Sequence, residues 1–457
     1  MGRLIKIFPF MVLFLYWAYL VVMTRPVLIY DALGYENLGR LIMENGWGMY
    51  FRELNREPFF PFLISVAMRL EQVSGVGYNY ILKVFLLIEL ALAMAGTYRL
   101  ARLLGAGRWW ALGGAWYLGV SPAIVNSTLW LWSEAAVYPF VIWGIIWLIY
   151  AWQEIFSQRS VCYLLGYTAL ASVLFIFAAM VKASLAVVFV GLLMPYYACV
   201  IHGLWLKHAR QIYRALLVSL IGVLMMGAYV ENHKFLNWRG NGNYAITNRA
   251  DVALLGNTVR RLHPQALHLI PQAILAAPRL GICEKYYGAS CAFWSALTSD
   301  KINDQYGQQL RAEGFSDTQR RQMFLMTAFG LMREHPFQEV FFAGIEGMKM
   351  FFWENRLYFV KYPDALARFF TNHAVVYTLC FVFAVLSLAG LLSTAWRAFR
   401  YRRMPDLFAV LFVIFFIGSY MLFFVDIRYG FPLAPVFMAM IAAMGQVLRV
   451  SMLKEET

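Results

Sequence analysis

Long apolar runs, one after another, decide what this chain can be. A run of roughly 17–25 apolar residues is long enough to cross a bilayer as a helix. About ten such runs are visible, near residues 8–24, 79–101, 107–122, 129–150, 161–181, 183–203, 214–230, 372–396, 407–425 and 430–450. Charged residues make up 14% of the 457 and hydrophobic ones 61%, whereas a soluble domain carries about a quarter charged residues. With lipid as the main solvent, each segment must satisfy its own backbone polar groups, which favours helices. The expected fold is an all-α polytopic membrane protein. The segment from Phe59 to Leu70 is also apolar, but it is short and closed by Arg69 and Glu71. It is expected to lie at the interface or to re-enter the membrane without spanning it.

Charge placement orients these helices. With the N-terminus in the cytoplasm, Arg99, Arg102 and Arg108 fall on that side, as do Arg159, Lys207, Arg210 and Arg214. Arg397, Arg400, Arg402 and Arg403 follow, and finally Arg449 and Lys454. Every strongly basic short loop then lands on one face, as the positive-inside bias requires. A spanning Phe59–Leu70 segment would move these loops to the opposite face. The same bias accounts for the net charge of +14 without a nucleic-acid partner, because no compact Lys/Arg run carries interleaved aromatics.

The chain divides into a transmembrane module (1–230) with a first outer loop (25–78), an outer domain (231–371) and C-terminal transmembrane helices (372–457). Interfacial helices are expected in the first outer loop. The outer domain is expected to be mostly helical, with amphipathic spacing at Met323–Met332 and Val340–Phe352. The first helix is expected to stay uncleaved, since Thr24-Arg25-Pro26 follows it instead of a small-x-small site. Seven helices before the outer domain and three after it give no matched interrupted helices of the kind an inverted-repeat transporter shows.

Charged residues near the ends of apolar runs are the candidates for chemistry. Asp31 follows the first run, ahead of an amphipathic segment from Leu33 to Met43 and a loop with Arg52, Glu53, Arg56 and Glu57. A carboxylate at the mouth of a membrane helix is costly unless it is wet, paired or working, although it can also cap the helix that follows. Glu134 lies in Trp130-Leu131-Trp132-Ser133-Glu134, after a Ser121-Pro122 turn. Lys182 sits between two apolar runs, where it can hold a phosphate as a point charge or snorkel. Arg428 lies in Asp426-Ile427-Arg428-Tyr429, near a candidate acidic partner. His263, His268, His335 and His373 are scattered and lack zinc-site spacing. No G-x-S-x-G, Walker or G-x-G-x-x-G motif occurs. Cys162, Cys199 and Cys380 lie in apolar runs, whereas Cys283 and Cys291 share the outer segment and are expected to form a disulfide.

Asp31 and Tyr35 in a D-x-x-x-Y spacing, followed by Arg56-Glu57-Pro58-Phe59-Phe60-Pro61, resemble the GT-C superfamily of integral-membrane glycosyltransferases, which use lipid-phosphate-linked sugars. Arg428-Tyr429-Gly430-Phe431-Pro432-Leu433-Ala434-Pro435 is similar to an R-Y-x-x-P-x-x-P feature of bacterial members. Glu334-His335-Pro336 and Trp353-Glu354-Asn355 also look like the bacterial, ArnT-like branch. The resemblance implies catalytic roles for Asp31 and Glu134, with Asp31 as the base. It implies donor-phosphate binding by Arg56, Lys182 and Arg428, and substrate contacts by Tyr35, Glu57, Phe59, Phe60 and Tyr429. Many members carry two adjacent acids after the first helix, and here Ala32 stands in the second place. A divalent metal is therefore not supported, nor is the protein-mannosylating branch. No cofactor is implied beyond the polyprenyl-phosphate-linked sugar.

The expected activity is inverting transfer of a sugar from a polyprenyl-monophosphate donor, such as an undecaprenyl phosphate sugar. The acceptor would be a surface glycan, lipopolysaccharide or lipid at the periplasmic face of a bacterial inner membrane. Expected partners are membrane lipid, this donor and a glycan or glycolipid acceptor. An O-antigen polymerase or ligase is a rival reading, with Arg260-Arg261 and Arg320-Arg321 available for a pyrophosphate donor. A lipid or sugar transporter is the other rival.

Overall fold

The computed structural model describes residues 2–26, 31–52, 56–206, 208–247, 250–262, 299–354, 360–361, 373–422 and 427–455. Cys283 and Cys291 lie outside the described residues, as do His263, His268 and Asp426. In chain order the helices begin with α1 (Gly2–Met23), α2 (Asp31–Arg52), α3 (Phe59–Ser74), α4 (Tyr78–Leu103), α5 (Arg108–Val120) and α6 (Pro122–Leu129). They continue with α7 (Ser133–Phe156), α8 (Val161–Val181), α9 (Ser184–Leu192), α10 (Met194–Leu206) and α11 (Ala209–Asn241). The polar segment after α11 contributes α12 (Ala250–Arg261), α13 (Ser299–Ala312), α14 (Asp317–Glu334) and α15 (Pro336–Gly347), which runs into a 3-10 stretch, Met348–Phe352. The chain returns through α16 (His373–Tyr401), α17 (Met404–Leu422), a second 3-10 stretch (Ile427–Leu433) and α18 (Ala434–Glu455).

Among the described residues, eight helical stretches are long and apolar enough to cross a membrane, with Pro9–Met23 as a shorter apolar helix. The first expected run is α1, whose 22 residues span Gly2–Met23; one other run is shorter than expected, for a local reason. The run at 107–122 yields only the 13 residues of α5. Ser121 ends that helix and caps the next, its hydroxyl accepting from the Ile124 N–H at 3.2 Å, and Pro122 opens α6. Proline suits a first helical turn because its missing N–H would have no intrahelical partner there. The expected run at 129–150 starts later, at Ser133, because Trp130 and Trp132 are extended. α3 takes the place of Phe59–Leu70 and is not among the candidate spans.

The membrane helices share one continuous apolar core, in which α7 is the most enclosed element. A separate small core joins α12, α13 and α14 through Leu254, Leu255, Leu310, Phe324 and Ala328. The helices expected from Met323–Met332 and Val340–Phe352 are α14 and α15 with its 3-10 extension. Gly347 of α15 packs against Ile417 and Met421 of α17, which seats this polar segment on the bundle. A two-residue antiparallel pairing, Arg25 with Lys361 and Pro26 with Val360, ties the exit of α1 to the returning chain.

The two ends of the bundle differ in chemistry. At the basic end, Arg214 donates to the carbonyls of Glu154, Ser157 and Arg159, and Arg397 donates to the Leu104 carbonyl and to Asp406. These guanidiniums satisfy orphan carbonyls at helix ends. At the other end lie the first residues of α2 and α7, the α8–α9 break and the 427–433 stretch.

Candidate active site

Asp31 is the first residue of α2, and both of its carboxylate oxygens are held by guanidiniums. Arg56 Nη2 donates to Oδ1 at 2.6 Å, and Arg428 Nη1 lies 2.7 Å from Oδ2. The local partner suggested by the sequence, Asp426, lies outside the described residues; Arg428 pairs with Asp31 at the other end of the chain. Burial alone would raise the Asp31 carboxyl, but Arg428 and Arg56 outweigh it and hold it well below the usual carboxylate range.

Each partner is fixed by its own element. Arg56 follows α2, and its backbone carbonyl accepts from the Tyr50 hydroxyl at 2.6 Å. Its guanidinium lies over the ring of Tyr35, 4.4 Å from the centroid. Tyr35 is one helical turn beyond Asp31, on the same face, and its hydroxyl meets Ser133 Oγ at 3.0 Å. Gly34 leaves room for this arrangement, because a Cβ there would stand 3.2 Å from Arg56 Nη2. Arg428 is set by the 3-10 stretch, which packs on Met348–Phe352. A Cβ on Gly430 would collide with the Met350 carbonyl, so the close approach requires glycine.

A second ion pair lies beside the first. Lys182 Nζ donates to Glu134 Oε1 at 3.0 Å. Lys182 sits at the break between α8 and α9 with extended backbone, and Glu134 is in the first turn of α7. Tyr429 joins the two pairs: its ring lies 5.4 Å from Lys182 Nζ and 5.3 Å from the Arg428 guanidinium carbon. Tyr420 stacks on Tyr429 at 4.7 Å. Glu57 points to the same break, where its carboxylate accepts from the Ala183 N–H at 3.2 Å.

The structure therefore brings together Asp31, Tyr35, Arg56, Glu57, Glu134, Lys182, Arg428 and Tyr429 in connected contacts. The aromatic pair Phe59-Phe60 is placed differently. Phe60 is fully buried and meets Tyr35 edge-on at 5.1 Å, so it supports that ring from behind. Phe59 packs against Phe140 and Phe177 on the side of the bundle.

Sequence reasoning missed several contributors. Trp132 lies under the Arg428 guanidinium at 5.6 Å, and Ser133 holds Tyr35. Glu354 accepts from Ser121 Oγ at 2.5 Å and from the Ala123 N–H at 3.3 Å, pinning the returning chain to the start of α6. Lys83 of α4 donates to the carbonyls of Val21 (3.1 Å) and Thr24 (2.7 Å), closing the C-terminal end of α1. A lysine inside an apolar run was a usable signal.

No protein-family model matches the sequence, and no curated protein matches it. Solved structures do. The oligosaccharyltransferase AglB from Archaeoglobus fulgidus, in complex with an inhibitory peptide and a dolichol-phosphate, is 13% identical with a TM-score of 0.52. The match covers 99% of this chain and 52% of that one. The oligosaccharyltransferase of the same organism in complex with Zn and sulfate gives 14% identity and a TM-score of 0.51 over 94% of this chain and 46% of that one. This chain has a GT-C-like fold. It spans about half the length of these oligosaccharyltransferases. ArnT from Cupriavidus metallidurans bound to undecaprenyl phosphate is 15% identical over 96% of this chain and 77% of that one, with a TM-score of 0.35.

Among the described residues, the donor set of this site does not fit a divalent ion. Both Asp31 oxygens face guanidiniums, and Ala32 offers no ligand. Among the described residues, no group of three or more His, Cys, Asp or Glu side chains converges.

Proposed function

We propose that this protein is an inverting glycosyltransferase that moves a sugar from a polyprenyl-monophosphate donor to a surface-glycan, lipopolysaccharide or lipid acceptor. The reading rests on one observation: a carboxylate, Asp31, set between two arginines at the end of a GT-C-like helical bundle. The archaeal relative carries a dolichol-phosphate, a lipid phosphate of the class proposed here.

In the proposed reaction the acceptor hydroxyl attacks the anomeric carbon from the side opposite the phosphate. A C–O bond forms there as the bond from that carbon to the phosphate oxygen breaks. The hydroxyl proton passes to Asp31, and the bonding electron pair leaves on the phosphate. Such a leaving group needs no strong general acid, unlike an inverting glycosidase. Arg56, Arg428 and Lys182 would offset its growing charge, and guanidiniums suit the task because their forks match phosphate oxygens. Glu134 would hold Lys182 in place, and Tyr35 and Tyr429 would flank the sugar. The positive-inside bias supports a site on the periplasmic face of a bacterial inner membrane.

One of the two arginine pairs offered for the polymerase or ligase rival is engaged internally. Arg260 and Arg261 are buried in ion pairs with Glu346 and Glu339. To test the proposal, the purified chain in proteoliposomes is given a polyprenyl-monophosphate sugar and a total envelope lipid and glycan extract. Release of free polyprenyl phosphate and labelled acceptor is expected. Donor carried across the bilayer intact would favour a transporter and overturn the assignment.

A further inference from the structure

The proposed base and two of the proposed phosphate holders are locked onto one another. Arg56 and Arg428 each take one oxygen of Asp31, at 2.6 and 2.7 Å. Their fixed sources are at opposite ends of the chain, so neither pairing is an accident of sequence neighbourhood. A carboxylate held this way is a poor base, because its lone pairs are engaged and two positive charges oppose proton uptake. Its depressed proton affinity in the free protein agrees. The guanidiniums are equally compromised as phosphate holders while the carboxylate occupies them.

We propose that the donor phosphate exchanges with Asp31 for Arg56 and Arg428, so that the carboxylate becomes a competent base only when donor is bound. This rests on the glycosyltransferase reading above.

Three features favour the exchange. The cluster is open enough for it: side-chain exposure is 22% at Asp31, 19% at Arg428 and 10% at Arg56. The charge balance favours exchange over simple addition. Arg56, Arg428 and Lys182 stand against Asp31, Glu134 and Glu57 in the connected cluster, so an incoming anion is matched only if a carboxylate gives up its arginines. A phosphodiester donor brings one negative charge and several acceptor oxygens for the two forks. Finally, Arg56 and Arg428 stay anchored when the carboxylate lets go, because Tyr35, Trp132 and Tyr429 hold their guanidinium faces.

The exchange orders the cycle. Without donor, Asp31 is silenced. With donor, it faces a phosphate in place of two cations and gains proton affinity. After transfer, the polyprenyl phosphate carries up to a second charge and holds the arginines harder, and the returning Asp31 carboxylate competes it off.

The test is equilibrium binding of undecaprenyl phosphate to the full chain in detergent. Asp31→Asn removes the competing charge, so it is expected to bind the lipid phosphate about tenfold tighter than wild type, the effect of about 1.4 kcal/mol. Asp31→Asn combined with Arg428→Gln should lose that gain. Equal or weaker binding by folded Asp31→Asn, with wild type binding normally, overturns the exchange and leaves the glycosyltransferase reading standing. No binding by wild type removes both. A structure of wild-type protein with undecaprenyl phosphate needs no variant. It should show the phosphate on both arginines and Asp31 beyond about 4 Å of at least one of them, outside ion-pair range. A bound phosphate with both Asp31 pairs intact overturns the proposal.

Discussion

Arg260 and Arg261 meet Glu339 and Glu346 in a more deeply buried cluster, where the side chains of Arg261 and Glu346 have no exposed surface. Arg56 and Arg428 meet Asp31 with the same ingredients, but 10–22% of each side chain remains exposed. In the deeper cluster the surrounding backbone also takes part: Arg261 donates to the Met421 carbonyl at 2.7 Å, and Gln338 donates to the Arg261 carbonyl. It clasps α12 and α15 to the end of α17. In the open cluster Asp31 is held by the side chains of Arg56 and Arg428, brought from two distant segments. Identical residue types thus serve as a clasp where burial is deeper and as an exchangeable set where a ligand can enter.

The largest expected effect separates the two. Asp31→Asn should lower turnover by roughly 10²–10⁴-fold, the range of a general base, with little change in the unfolding midpoint. Turnover within a few-fold of wild type would erase the distinction. Glu346→Ala should do the reverse. Leaving two buried arginines short of their partner should cost about 3–5 kcal/mol of stability, measured by thermal unfolding in detergent, while activity per folded molecule stays near wild type.

The clasp also has a pH signature. Burial alone would raise Glu346, but Arg260, Lys349 and Arg261 bring it down to about 2 from 4.5. A carboxyl depressed on folding contributes stability that is complete above its unfolded value and lost as pH falls through the folded one. The polar segment after α11 should therefore weaken between about pH 4.5 and 2, and Glu346→Gln should flatten that dependence. Unchanged acid sensitivity in the variant would dissociate the clasp from its charges.

Smaller effects sharpen the open site. Arg428→Lys keeps the charge but loses the fork and the stacking on Trp132 and Tyr429, so the donor KM should rise about tenfold. Gly34→Ala brings a methyl to 3.2 Å from Arg56 Nη2. It should shift the guanidinium slightly and raise the donor KM a few-fold, with the unfolding midpoint unmoved. An equal loss of stability would mean that Gly34 serves the helix and not the arginine.

Much of this was legible in the sequence because lipid imposes simple rules. Apolar length revealed the helices, and charges at helix mouths the candidates Asp31, Arg56, Glu134, Lys182 and Arg428. Pairing was not legible. Asp31 and Arg428 come from opposite ends of the chain, and Glu134 and Lys182 were read singly although they neutralise each other. The run at 107–122 forms a helix of only 13 residues because hydropathy does not register the Ser121-Pro122 cap that ends α5. Phe60 was read as a ligand contact because a proline-bracketed aromatic pair carries no sign of which ring faces inward, and the packing of Tyr35 decides that.

The most direct measurement compares cell-envelope glycans and glycolipids by mass spectrometry in a deletion strain carrying wild-type protein, Asp31→Asn or nothing. The proposed site predicts that one sugar mass disappears on deletion, returns with wild type and fails to return with Asp31→Asn at equal membrane levels. An unchanged glycan profile on deletion, or full restoration by Asp31→Asn, would contradict it.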